Sequence, residues 1–152
     1  SGAAKVVGVE FSPAIATIAR KTCEGLDVEI VNKDILDYTK TCHNILFQYV
    51  VMIEVVEHIP RKELSQVMKN LLGITTPNGI VFISTPYYPV DNDVIKDGLK
   101  KEAKDSSDKY NETQGMHCNR YTKASLVDFL KGCGYKDIST ATLTAFNKIV
   151  KV

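Results

Sequence analysis

The sequence predicts an open, mostly parallel α/β sheet with an antiparallel edge, and three observations carry that expectation. Short β-branched runs alternate with amphipathic segments, residues 45–53 (ILFQYVVMI) are almost uninterrupted hydrophobic sequence, and the last stretch reads as a hairpin-like pair of strands. Regular alternation builds a parallel sheet with helices packed on its faces. A strand lacking a polar side belongs in the middle of such a sheet, covered on both faces, and a closing pair adds the antiparallel edge.

Taken in order, residues 5–10 (KVVGVE) form a β-branched strand ending in an acid, and Ser12 follows as an N-cap with Pro13 at the first helical position. That helix runs to about Cys23, with Ile15, Ile18 and Ala19 on one face, and Gly25 ends it. Residues 28–31 start a second strand that leads into Asn32-Lys33-Asp34. Residues 45–53 are the third strand and the expected centre of the core. After Pro60, the residues Leu64, Val67, Met68, Leu71 and Leu72 recur at helical spacing; Pro77-Asn78-Gly79 signals a turn, and residues 80–84 are the next strand. Thr122 caps a further helix carrying Leu126, Phe129 and Leu130, with Gly132 and Gly134 at its C-terminal end. Two closing strands are expected at 138–144 and 148–152.

At about 90–115 the composition turns polar, and the five lysines and seven acids of residues 91–112 nearly cancel. Such a stretch adds little core and reads as an excursion over the active face, a solvated surface segment or a lid. The whole of 1–152 is therefore expected to be a single domain with this polar insertion. A net charge of +1 from 19 basic and 18 acidic residues supplies no long-range field for a polyanion. Cys23, Cys42, Cys118 and Cys133 are scattered without a Cys-x-x-Cys pair, which fits reduced thiols in a cytoplasmic protein. No apolar stretch approaches the ~20 residues that span a bilayer, so no membrane partner is expected.

Four segments in this order, KVVGVEFS, VNKDILDY, MIEVVEHIP and PNGIVFISTP, resemble consecutive landmarks of class I S-adenosylmethionine-dependent methyltransferases. The resemblance covers almost the whole chain and implies a doubly wound, Rossmann-like sheet. Ligands of such sheets lie outside the carboxyl ends of the strands, where Glu10, Asp34 and the Ile53/Glu54 junction stand, so the three are expected to converge on one cleft. By the resemblance, Glu10 would accept hydrogen bonds from the cofactor's ribose hydroxyls. Asp34 would meet the adenine amine, with Ile35 over the ring and Phe11 and Ile53 nearby. Read from the residues alone, Glu10 is equally a helix cap or dipole partner, Asp34 a turn residue and Phe11 a core residue. The family also has a first strand, a helix and a glycine-rich loop ahead of these landmarks. Gly2 and Gly8 do not form such a loop, so the chain reads as N-terminally incomplete.

Glu54, Glu57 and His58, with His117 in GMHCNRYT, make the most chemically loaded constellation. If Glu54 begins a helical turn, residues three and four further on share its side, and two carboxylates and an imidazole converge. Oxygen and nitrogen ligands suit Mg²⁺, Mn²⁺, Fe²⁺ or Zn²⁺. The pattern resembles the O-methyltransferases of ubiquinone biosynthesis and the methyltransferases of small-RNA 3′-terminal 2′-hydroxyls, where a metal would hold the acceptor hydroxyl and lower its pKa. Two other readings stand beside it: a metal-free site in which His58 or His117 is the general base, and a structural role in which the glutamates cap a helix. His43 is expected to be merely solvated. Ser84-Thr85-Pro86-Tyr87-Tyr88 follows a strand end, where Tyr87 and Tyr88 either flank a planar substrate or anchor the loop.

The expected activity is methyl transfer from S-adenosylmethionine to an oxygen of a small-molecule acceptor. The absence of a basic cluster interleaved with aromatics ranks RNA 3′-terminal 2′-O-methylation second. A catalytically inactive scaffold or regulatory domain is the third reading.

Overall fold

Val6, Val7 and Val9 favour the pleated surface of a strand, and β1 (Val6–Glu10) forms there. Ser12 then caps α1 (Pro13–Thr22), its Oγ accepting from the Ile15 N–H at 3.5 Å with Pro13 in the first turn. Gly25, at φ 81°, turns the chain where a side chain would be strained. β2 (Val28–Asn32) returns parallel to β1, in the register Val6 opposite Val28 through Glu10 opposite Asn32. Arg20 ties α1 to β2 by donating from Nε and Nη2 to the Ile30 carbonyl, at 3.3 and 3.0 Å.

The computed structural model describes residues 5–42, 45–87 and 117–141. Two compact units divide the chain: Ser1–Val50 with Lys62–Ile80, and Val51–Arg61 with Val81–Val152. In the first, β1, α1 and β2 are followed by α2 (Ile35–Thr41), a short helix that the hydrophobic pattern does not announce. α3 (Arg61–Gly73) buries Leu64, Val67, Met68 and Leu71, the stripe expected from their spacing, while Leu72 stays 39% exposed. Asn70 of α3 donates from Nδ2 to Thr39 Oγ1 of α2 at 3.2 Å, so the buried Thr39 hydroxyl is satisfied. In the second unit α4 (Lys123–Gly132) starts at a reciprocal cap, Thr122 Oγ1 accepting from the Ser125 N–H and Ser125 Oγ from the Thr122 N–H, at 3.1 and 2.9 Å.

β3 (Phe47–Ile53) and β4 (Thr75–Ser84) pair as a second two-stranded sheet. The Phe47 N–H donates to the Ile74 carbonyl at 2.8 Å and the Glu54 N–H to the Ser84 carbonyl at 3.0 Å, so numbering rises along both strands as in a parallel pair. The architecture is thus the expected α/β fold of parallel strands and interleaved helices.

Several expectations need correction. β3 is not covered on both faces: Met52 is buried, but Tyr49, Val51 and Ile53, which alternation places together on the other face, are 69%, 61% and 61% exposed, because no described residue packs over that face. α1 turns Ala16 inward and leaves Ile15 and Ile18 more than half exposed. Pro77-Asn78-Gly79 falls inside the bounds of β4, yet the chain folds back there as the turn signal expects, since a Cβ on Gly79 would meet the side chains of Thr75 and Thr76, which an extended strand would hold roughly 10 Å or more away. Residues 138–141 carry no strand, and the remainder of the two closing strands, the polar insertion and His43 lie outside the described residues. None of the four cysteines forms a disulfide. No helix among the described residues is long and apolar enough to cross a membrane.

Candidate functional site

In the first unit, the carboxyl ends of β1 and β2 bring Glu10 and Asp34 to the same edge of the pair. Glu10 Oε1 accepts from the Ser12 N–H at 2.7 Å, which anchors the acid over the start of α1. Asp34 caps α2, its Oδ1 accepting from the Leu36 N–H at 2.7 Å. Glu10 thus acts at a helix start as expected from the residues alone, Asp34 caps a helix where a turn was expected, and each spends one oxygen on a backbone N–H. Phe11, at 74% exposed, has no core role, and Ile35 is half-buried in the first turn of α2. The sequence reading overlooked Asn32, whose Nδ2 donates to the carbonyls of Glu10 and Phe11 at 2.8 and 3.0 Å. With the Lys33 N–H on the Glu10 carbonyl at 3.1 Å, it fixes the backbone on both sides of the Glu10 carboxylate. An asparagine closing a strand is the signal that could have found it.

In the second unit, β3 ends at the exposed Ile53, and Glu54 adopts φ 52°, a left-handed conformation costly for a residue with a side chain. Ser84 holds it there from the end of β4, the Glu54 N–H donating to the Ser84 carbonyl at 3.0 Å and Ser84 Oγ donating to Glu54 Oε1 at 2.8 Å. Glu54 therefore does not begin a helix as expected. The chain instead turns, with the His58 N–H donating to the Val55 carbonyl at 3.0 Å.

This turn drives Glu57 inward. The residue is 0% exposed, neither carboxylate oxygen has a hydrogen-bond partner among the described residues, and His58 Nε2 lies 3.9 Å from Oε1. His117 completes the group: the His58 and His117 ring centroids lie 5.0 Å apart at 77°, and one ligand atom from each of Glu57, His58 and His117 falls within 4.8 Å of the others. Glu54 is not in that set. Ligand atoms around a tetrahedral ion such as Zn²⁺ stand roughly 3.3 Å apart, the edge set by bonds of about 2 Å, so the three would draw closer to share an ion. A buried carboxylate without a partner costs several kcal/mol unless a cation or proton compensates it. The donor set therefore fits a divalent cation.

Around the cluster, Tyr87 bridges to Tyr121 along the backbone and is itself 51% exposed. Tyr121 is buried, and burial foremost pushes its hydroxyl pKa up to about 12, opposed by the Arg61 guanidinium. Arg61 also sits over the Phe129 ring, 4.8 Å from its centroid. Tyr88 lies outside the described residues. Asn119, unremarked in the sequence, joins this segment to the Glu57 turn through three hydrogen bonds.

Residues 1–79 match the family profile described as a methyltransferase domain. No curated protein matches the chain. Among solved structures it is similar to a candidate methyltransferase from Bacillus halodurans C-125, with TM-score 0.63, 20% identity, and 86% of this chain and 52% of that one covered. It is also similar to an O-methyltransferase family protein from Burkholderia thailandensis (TM-score 0.59, 16% identity, 85% and 37% covered). A third likeness is to PKMT2 from Rickettsia typhi in complex with AdoHcy (TM-score 0.51, 19% identity, 90% and 25% covered). The chain spans about half the length of the first and less of the others, and at these identities the likeness is one of fold.

Proposed function

Because the chain belongs to the methyltransferase domain family, we propose that it transfers the methyl group of S-adenosylmethionine to an oxygen of a small-molecule acceptor. Glu10 and Asp34 serve the cofactor: each keeps a carboxylate oxygen beyond the one spent on a backbone N–H, Glu10 for the ribose hydroxyls and Asp34 for the adenine amine. Ile35 and Phe11 line the adenosine. The complex of PKMT2 with AdoHcy supports a cofactor of this type.

The observation that carries the acceptor side is the buried, unpartnered carboxylate of Glu57 beside His58 and His117. These three residues would hold a divalent cation, Mg²⁺, Mn²⁺, Fe²⁺ or Zn²⁺. When bound, such an ion supplies Lewis acidity that makes an acceptor hydroxyl more acidic. With both imidazoles on the ion the hydroxyl proton would leave to water; in a site without the ion, His58, exposed beside Glu57, or His117 would instead receive it as general base. The oxygen forms a bond to the methyl carbon as the carbon–sulfur bond breaks, and S-adenosylhomocysteine leaves. Tyr87 borders the acceptor, with Tyr88 next to it in sequence. Transfer itself needs chiefly in-line positioning.

The test uses the full-length protein with methyl-tritiated S-adenosylmethionine, a panel of hydroxylated small molecules and their deoxygenated analogues, and RNA with a free or oxidised 3′ end. Mn²⁺-stimulated labelling of the hydroxylated compounds alone is expected. Label found only on RNA with an intact 3′ end would replace the small-molecule acceptor by a terminal ribose. No label on any acceptor, together with no binding of S-adenosylhomocysteine by calorimetry, would leave a scaffold.

A further inference from the structure

Glu57 and His58 come from one turn and His117 from a segment far along the chain, yet their ligand atoms cluster. Asn119 is the joint between the two. Its side-chain Nδ2 donates to the Val56 carbonyl at 3.0 Å and to the Ile59 carbonyl at 2.6 Å, and its backbone N–H donates to the Glu57 carbonyl at 3.1 Å. The residue is 6% exposed, so water does not replace these bonds readily. Two donors on one neutral nitrogen are what a carboxamide provides; a serine hydroxyl offers one and an ionised aspartate none. The two accepting carbonyls flank Glu57 and His58, so the contact holds the turn from both sides and leaves their side chains to the site.

We infer that Asn119 is a positioning residue, which sets His117 against Glu57 and His58 by bonding the backbone of the turn that carries them. Its chemical consequence rests on the reading of that cluster as a cation site; its geometric consequence, the contact of the two imidazole rings, does not. Cys118 adds a weaker contact of the same sense, its Sγ lying 3.6 Å from the His58 carbonyl.

The experiment compares the full-length protein with Asn119→Asp, of the same shape but without donors, and Asn119→Ser, which keeps one. Co²⁺ binding is followed by its visible absorption. The His58–His117 ring contact is followed by nuclear Overhauser effects in histidine-labelled protein, and thermal unfolding by circular dichroism reports whether each variant stays folded. Loss of the ring contact is expected in Asn119→Asp, with Co²⁺ bound about 10- to 100-fold more weakly. Asn119→Ser should fall between, and both should still unfold cooperatively. Folded variants that keep the ring contact and the Co²⁺ affinity would overturn the inference, as would a wild-type protein without the ring contact. A wild type that shows the ring contact but takes up no Co²⁺ would instead sink the cation reading, and loss of the contact in the variants would still support the positioning role.

Discussion

Glu10 and Asp34 in one unit and Glu57 in the other are the same chemical group handled in opposite ways. The first two sit at strand ends with solvent access, and each gives one oxygen to a backbone N–H of a helix start. Such carboxylates are stable without any ligand, since the peptide dipoles and water both favour the charge. Glu57 has neither, being fully buried with both oxygens unbonded among the described residues. A carboxylate held like Glu10 can bind a ligand by exchanging water, whereas one held like Glu57 is at odds with its surroundings until a cation or proton arrives. The first unit thus holds its acids by hydrogen bonds at helix starts, and the second holds one in its interior.

The largest expected effect comes from removing the charge at Glu57. Glu57→Gln should raise the stability of the metal-free protein by ~1–3 kcal/mol in urea unfolding with a chelator present, because an uncompensated buried charge disappears. The same variant should lose the rise in unfolding temperature that Mn²⁺ gives the wild type. A metal-free variant less stable than the wild type would break the contrast. At Asp34 the two roles of one carboxylate separate. Asp34→Ala should cost ~1 kcal/mol as a lost cap, and Asp34→Ser should restore most of that. Both should weaken S-adenosylhomocysteine about tenfold in calorimetry. Unchanged affinity in a stable Asp34→Ser protein would leave that acid a cap only.

The smallest effect sharpens the picture of the buried side. Tyr121, buried near Glu57, has its pKa pushed up to about 12 from 10, first by desolvation, against the pull of Arg61. A raised phenol pKa means that the unfolded chain ionises first, so the contribution is complete below pH 10 and is lost as pH rises toward 12. Stability should fall by ~1 kcal/mol between pH 10 and 11, and Tyr121→Phe should flatten that part of the profile. An identical slope in the variant would assign the loss to other groups.

The parts of the fold legible in advance are those specified by neighbours in the chain. Ser12-Pro13 and Thr122 mark helix starts through side chains that reach three residues ahead, and Leu64, Val67, Met68 and Leu71 share a face through the helical period alone. α2 escaped because seven residues carry too little periodicity, although Asp34 was already its cap. The exposure of Tyr49, Val51 and Ile53 escaped because an apolar run states what a strand can be covered by, not what covers it.

The sequence by itself determined the alternation of strands and helices, the helix caps and the identity of the acids and histidines with useful chemistry, since these depend on composition and short spacing. Only the tertiary structure decided that Glu54 turns left-handed onto Ser84 and leaves the cluster, that Glu57 goes inward alone, and that Asn119 brings His117 to it. Those outcomes rest on hydrogen bonds between residues 30 to 63 positions apart, and no local pattern encodes which distant carbonyl a buried amide will find.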